Sequence, residues 1–204
     1  MGLVATLFVL LLEVHQSAPR ITILCTLIVY LLHLCRRLYE CRFVSVYGHG
    51  QMSLTHFILG IAFYIVTPAS LFASRLYASD RSWTVMALFV LKTSGLQYAQ
   101  HVVCKQLAEL RKSPTSTSGR NQPTGYYIPK GTMFRYISCP HYLYEIALYL
   151  TLHIFVSVSW IPFSHMVLFV IFNQVCSAWL THSWYQCRFP EWAANRKALL
   201  PFVW

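Results

Sequence analysis

Charge is what this chain has least of: Asp, Glu, Lys and Arg make up 11% of its 204 residues, against about a quarter in ordinary soluble domains. A water-soluble fold of this length needs far more polar surface to cover its core. Acidic residues are scarcest, six against sixteen Lys and Arg, which leaves a net charge of +10. Such an excess points to nucleic acid only when it lies on a polar surface. Here the cations sit between apolar runs, as in membrane proteins, and nucleic acid is set aside as a partner. The seven cysteines, at 25, 35, 41, 104, 139, 176 and 187, contain no CxxC. That removes the spacing of a zinc site or a disulfide framework, so no metal is expected and the thiols read as small buried hydrophobes. No Asn-x-Ser/Thr sequon marks a side of the membrane. GxxxxGK[ST], HExxH and GxSxG are absent, and the GHG at 48–50 is too short for a dinucleotide fingerprint. Any redox cofactor is therefore held without a soluble Rossmann fold.

What the chain has instead is apolar length, 56% of its residues. Residues 1–12 form one run stopped by Glu13, short of the roughly 20 residues a spanning helix needs. With no basic stretch before it and no small-x-small cleavage site after it, it reads as a cut-down helix rather than a signal peptide. Full spans are expected over 20–35, ending at Arg36-Arg37; 54–74, with a tolerated Pro68; 83–100, with Lys92 near its middle; 142–158; and 162–181, these last two joined by a tight Trp160–Pro162 turn. The fold class is an all-α polytopic bundle of five to six transmembrane helices. Residues 112–125 are rich in Ser, Thr, Pro and Gly and read as a loop. No repeat or second domain interrupts 1–204.

Alternating loops place 36–53, 101–140 and 184–204 on one face. That face carries Arg36, Arg37, Arg42, Lys105, Arg111, Lys112, Arg120, Lys130, Arg135, Arg188, Arg196 and Lys197; the other has only Arg20, Arg75 and Arg81. The positive-inside rule puts the first face, with the C-terminus, in the cytosol.

Ionisable groups within apolar spans are costly and mark functional candidates: Lys92, His101, His141, Glu145, His153, His165 and His182. Lys92, His153 and His165 can each reach an interface. His141 and Glu145 differ, because their i, i+4 spacing puts both on one helix face beside the basic loop. Gln97, His101 and Lys105 form a second polar stripe, which either faces solvent or lines a cavity between helices.

Two segments carry a resemblance. YYIPKGTMFRYISCPHYLYEI at 126–146 and HSWYQCRFPEWAANRKALLPFVW at 182–204 resemble, in order, the two motifs of the C-terminal domain of the steroid 5-alpha-reductase family. HLCRRLYECRFVSVYG at 33–48 looks like its polyprenol reductase branch; Leu34 stands near where the steroid branch carries a tyrosine that polarises the ketone. His141 stands where steroid-type members have Asn, and His101 where they have Asp. The resemblance covers roughly 20–204. It implies a cavity for cofactor and lipid, with 20–100 as substrate-side helices and 101–204 as the cofactor-binding region.

The resemblance further implies NADPH bound from the cytosolic side of an endoplasmic reticulum membrane protein. Its contacts would be Gln97, His101, Arg111, Tyr126, His141, Glu145, His182, Tyr185 and Arg196, with Glu145, His141 and Tyr185 as the catalytic candidates. Arg and Lys donors suit the cofactor's phosphates. The expected reaction is reduction of the alpha-isoprene double bond of a polyprenol toward dolichol, the lipid carrier of protein N-glycosylation. An allylic alcohol cannot accept hydride at its double bond, whereas the enal polyprenal can, so the aldehyde is the expected reactant. Family members have further N-terminal helices with a catalytic glutamate, whose motif Glu13 does not match. Two other readings stay open: a catalytically impaired short form acting as a membrane interaction protein, and a 3-oxo-steroid reductase. A transporter is disfavoured, since paired broken helices and repeats are absent.

Overall fold

The computed structural model describes residues 1–46, 53–112, 127–131 and 133–200. The loop at 113–125, Tyr126, the GHG at 48–50 and the last four residues of the tail motif lie outside them. Among the described residues, seven α-helices follow in chain order: α1 Gly2–Val14, α2 Ile21–Tyr39, α3 Leu54–Ala73, α4 Trp83–Lys112, α5 Pro140–Val156, α6 Pro162–Arg188 and the short α7 Pro190–Ala193. No strand occurs among the described residues; a single parallel bridge joins Ile137 to Lys197. The all-α membrane bundle is thus the architecture observed.

Local chemistry explains the helix limits. Ser53 caps α3, its hydroxyl accepting from the His56 backbone N–H. Pro140 and Pro162 stand at the first positions of α5 and α6, where a missing N–H costs nothing. Arg36 and Arg37 fall in the last turn of α2, where cations oppose the helix dipole. The chain continues past α2 in a π-helical turn over Glu40–Val44. Pro68 is accommodated inside α3, with the preceding Thr67 hydroxyl donating to the Phe63 carbonyl at 2.7 Å.

Among the described residues, three stretches are long and apolar enough to cross a membrane: Ile21–Val44, Leu54–Leu76 and Pro162–Arg188. The expected span over 83–100 is the first part of a longer helix. α4 continues for 30 residues to Lys112, because good helix formers such as Gln, Leu, Ala and Glu carry on where the apolar run stops. Lys92 lies exposed on its outer surface. α5 has 17 residues, and α1 remains a short apolar helix.

α2 is the central element, touching α1, α3, α4 and α5, while α6 packs on α3 and α5. Ile23, Leu27, Tyr30 and Leu34 of α2 meet Leu71 of α3, Phe89 of α4, Tyr149, Leu152 and Phe155 of α5, and Phe163 of α6 in one core. Phe89 and Phe155 stack with centroids 3.8 Å apart. Val4, Phe8, Leu32, Leu59, Leu88 and Phe172 remain exposed, as expected of a surface solvated by lipid tails.

Arg20, Arg75 and Arg81 gather at one end of the bundle. Arg75 Nε donates to Glu13 Oε2 at 2.9 Å, and the Arg20 backbone N–H to Glu13 Oε1 at 2.8 Å. Arg81 reaches the Phe155 carbonyl, and Thr22 binds Ser79 and Asp80. Glu13 is fully buried while Arg75 is partly exposed, so the two halves of the pair are unequal. Arg75→Met strands a buried carboxylate that keeps only a backbone donor, with an expected loss of about 2 kcal/mol. Glu13→Gln leaves a guanidinium that water can reach, and should cost less. Thermal melting of both variants in detergent checks the order.

Candidate active site

Three helices bring polar groups together at the opposite end of the bundle. On α2 and the π-helical turn that continues it, His33, Arg36 and Glu40 recur at i, i+3 and i+7, which stacks them on one face. Gln100, His101 and Cys104 present the facing side of α4, and His141 and Glu145 open α5. Glu145 is at the centre. Its Oε1 lies 3.3 Å from His33 Nε2, and its Oε2 accepts from Gln100 Nε2. The same amide nitrogen reaches the His141 carbonyl at 3.2 Å, and its oxygen accepts from Arg36 Nη2.

Glu40 is the second hub. Its side chain is 1% exposed and accepts from Arg36, from Arg37 Nη1 at 2.7 Å, and from His101 Nδ1 at 2.9 Å. Arg36 Nη2 lies 3.3 Å from His33 Nδ1. A guanidinium can only donate, so Nδ1 is the acceptor and the His33 proton sits on Nε2, directed at Glu145. Two guanidinium groups face two carboxylates, so these four charges balance. Glu40 is paired with both guanidinium groups and Glu145 is held by His33 and Gln100, the kind of hydrogen-bonded pairing that lowers the cost of burying ions.

Two polar atoms stay open: Arg36 Nε and His141 Nδ1 are buried without a hydrogen-bond partner. Buried donors and acceptors are normally satisfied, and open ones beside a satisfied cluster are where a bound polar group would fit. A charge-balanced cluster suits a neutral amide better than a phosphate. Cations free of this pairing lie further out, with Lys105 exposed and Arg111 donating to the Val46 carbonyl at 2.7 Å.

The other expected residues form a second group around the end of α6 and the tail. The tail is pinned by Ser138 N–H to the Lys197 carbonyl (2.9 Å), Cys139 N–H to the Ala198 carbonyl (3.2 Å) and Lys197 N–H to the Tyr136 carbonyl (3.2 Å). His182 Nδ1 pairs with the Ser138 hydroxyl at 2.8 Å. Tyr185 is buried, with its ring 4.9 Å from that of Trp192. Arg196 donates to the Phe134 carbonyl at 2.6 Å and to the Trp192 carbonyl, and lies over the Trp192 ring. A cavity of about 310 Å³ opens here, lined by His182, Ser183, Gln186, Arg196 and Lys197 among others.

Of the expected residues, Glu145, His141 and His101 thus meet at the α2–α4–α5 cluster, and His182, Tyr185 and Arg196 meet at the tail. Arg111 stands at the edge. Gln97 is half-buried on α4 and takes no part in the cluster. Tyr126 lies outside the described residues. Sequence reasoning missed His33, Glu40 and Gln100, and took Arg36 and Arg37 only as topology charges. The i, i+3, i+7 recurrence of His33, Arg36 and Glu40 was the signal available for α2; Gln100 had none. Among the described residues, no group of His, Cys, Asp and Glu is placed to hold a metal ion.

The sequence model of the family described as 3-oxo-5-alpha-steroid 4-dehydrogenase matches residues 50–204. A Caenorhabditis elegans protein named polyprenal reductase is 36% identical over 205 residues, covering 94% of this chain and 63% of the relative. Proteins of the same name from Danio rerio and Homo sapiens are 29% and 28% identical, covering 94% and 84% of this chain. The chain spans less than two thirds of the length of these relatives, 57% to 63%. With the family match extending over three quarters of the sequence, the chain belongs to the 3-oxo-5-alpha-steroid 4-dehydrogenase family.

Proposed function

We propose that this chain reduces the alpha-isoprene double bond of polyprenal with NADPH, a step toward dolichol and hence toward the lipid carrier of N-glycosylation. The observation that carries the reading is the charge-balanced cluster around Glu145, with open polar positions on Arg36 and His141. The names of the relatives support polyprenal over a steroid, as does Leu34, an apolar residue where the steroid branch carries its tyrosine.

NADPH, when bound, would supply the hydride. Glu145 and His141 would hold its carboxamide, with Gln100 keeping the Glu145 carboxylate aimed. His101 and Gln97 would flank the same region from α4. Arg111, Tyr126, His182, Tyr185 and Arg196 would hold the phosphates and the adenosine end, where Lys105 and Lys197 add positive charge. The 20–100 helices would carry the polyisoprenoid, whose tail needs the lipid-exposed apolar surface. We place the protein in the endoplasmic reticulum membrane, with the cation-rich end and C-terminus cytosolic, by the positive-inside rule.

Chemistry distinguishes the aldehyde from the alcohol. Hydride adds to a carbon–carbon double bond when the adjacent carbonyl can take up the negative charge, and the allylic alcohol offers none. Purified protein in lipid nanodiscs with NADPH should convert polyprenal to the saturated aldehyde while leaving alcohol-free polyprenol unchanged, read by mass spectrometry. Equal rates on the two would exclude the conjugate mechanism. No turnover of either substrate would overturn this reading.

A further inference from the structure

The cavity between the end of α6 and the tail has a chemistry of its own. Trp179, His182, Ser183 and Gln186 line it from α6, and Arg196 and Lys197 from the tail. Alanines at 193, 194 and 198 complete the lining, and their small side chains leave its volume of about 310 Å³ open. No member of the Glu145 cluster lines it. Lys197 is exposed, and Arg196 spends its hydrogen bonds on two backbone carbonyls. Among the described residues no carboxylate lines the cavity, and neither cation is paired with one.

The last turns of α6 present two different sides. Ala178 and Tyr185 are buried on the inward side, whereas Trp179, Ser183 and Gln186, at i, i+4 and i+7, share the flank that bounds the cavity. His182 is the partition between them. Its Nδ1 lies 2.8 Å from the hydroxyl of buried Ser138, and its Nε2 lies 3.1 Å from the Gln186 amide nitrogen on the cavity side. Two helical turns set Trp179 about 10 Å deeper than Gln186. The same stripe continues through Phe172 and Leu168, at i−7 and i−11 from Trp179, and all three are exposed. An exposed tryptophan near the end of a spanning helix marks the headgroup level. The lining thus passes from two cations and polar donors to an indole, and then to an apolar lane along the helix.

These features specify an occupant with an anionic head and an apolar body. A soluble phosphate would meet the cations but leave the indole and the lane beneath it unused. A neutral headgroup would leave the cations uncompensated. A phosphate monoester carries close to two negative charges at neutral pH, which matches Lys197 and Arg196, and the Ser183 hydroxyl and Gln186 amide add donors. We propose that this cavity binds the phosphate monoester headgroup of an anionic membrane lipid, with the lipid's chains lying along Trp179, Phe172 and Leu168. Basic pockets beside spanning helices take such headgroups. Because the two cations belong to the tail and Gln186 to α6, a bound headgroup joins the two elements and holds the tail in place. The inference does not rest on the reductase reading.

The test uses the protein without cofactor in nanodiscs of phosphatidylcholine alone, or with a minor share of phosphatidic acid. Wild type should retain phosphatidic acid over phosphatidylcholine by about tenfold in native mass spectrometry, and should melt higher in the mixed discs. Gln186→Glu sets a carboxylate inside the cavity and should abolish both effects while melting as wild type does in phosphatidylcholine alone. Lys197→Gln, which removes an exposed cation, should do the same. Asn195→Asp makes the same charge change as Gln186→Glu on an exposed residue outside the lining, and should keep both effects. Equal losses in Asn195→Asp and Gln186→Glu would reduce the binding to attraction by a charged surface and overturn the proposal. Displacement of phosphatidic acid from wild type by NADPH or inorganic phosphate would make the cavity a site for a soluble phosphate, with the same consequence. A wild type that shows no enrichment would overturn it as well. Enrichment without any turnover of polyprenal would leave this inference standing and remove the proposed function.

Discussion

Glu145→Gln is expected to lower NADPH-dependent reduction of polyprenal by roughly 10²- to 10³-fold while leaving a folded protein. The carboxylate takes part in three relationships at once. It accepts from the Gln100 amide, it lies 3.3 Å from His33 Nε2, and it balances one of the two guanidinium groups. A glutamine retains one acceptor oxygen but turns its NH2 towards either Gln100 or His33, both of which donate here. One donor therefore loses its partner, and the cluster acquires a net positive charge. The carboxamide of the cofactor would then meet a site of altered charge and orientation, so its dissociation constant should rise together with the loss in turnover. Isothermal titration with NADPH beside the mass-spectrometric assay checks both. Unchanged cofactor affinity with unchanged turnover would remove Glu145 from the site altogether. Gln100→Leu tests the same geometry from the other side: it should weaken NADPH without altering net charge.

The second large effect is structural. Glu40→Ala should cost about 3–5 kcal/mol, the largest loss expected of a single substitution in this chain. Its carboxylate is almost completely buried and is shared by Arg36, Arg37 and His101, so its removal leaves two guanidinium groups with only Glu145 to oppose them. Arg37 also contacts the Cys104 thiol at 3.8 Å, a poor substitute for a carboxylate. For a chain of this length such a loss lowers the melting temperature by about 10 °C. Thermal unfolding of the variant in detergent, with Arg37→Met added in a second step, gives the check. The double variant should recover part of the loss, because it removes one stranded charge. A melting temperature equal to wild type would mean that Glu40 is hydrated rather than buried.

These expectations depend on residues of very different legibility. His141 and Glu145 were visible because an ionisable i, i+4 pair in an apolar helix has a definite meaning. The Gln97–His101–Lys105 stripe was visible for the same reason, but only His101 of the three joins the cluster. α4 turns Gln100 inward instead, one position away, and a lone amide near the end of an apolar run carries no sequence signal. Arg36 and Arg37 were read correctly as marking one end of the bundle. Charge counting treats such residues as facing water, so it could not see that Arg36 turns back towards His33. Glu40 lies in a π-helical turn, a feature that recurs at functional sites but has no dependable pattern. The Glu13 carboxylate looked like the end of a hydrophobic run; it is a buried partner of Arg75, which stands 62 residues later.

Sequence alone therefore determined what depends on local pattern and composition. Apolar length decided the membrane class, helical periodicity decided the elements, the bias of Lys and Arg separated the two ends, and two motifs decided the family. These follow from a chain's own stereochemistry and its partition into lipid, and need no knowledge of which helices touch. The tertiary structure alone decided which polar groups satisfy each other. A buried charge or hydroxyl is stabilised or left open by atoms from distant parts of the chain, and pairing Glu145 with His33 and Gln100 requires α2, α4 and α5 to meet.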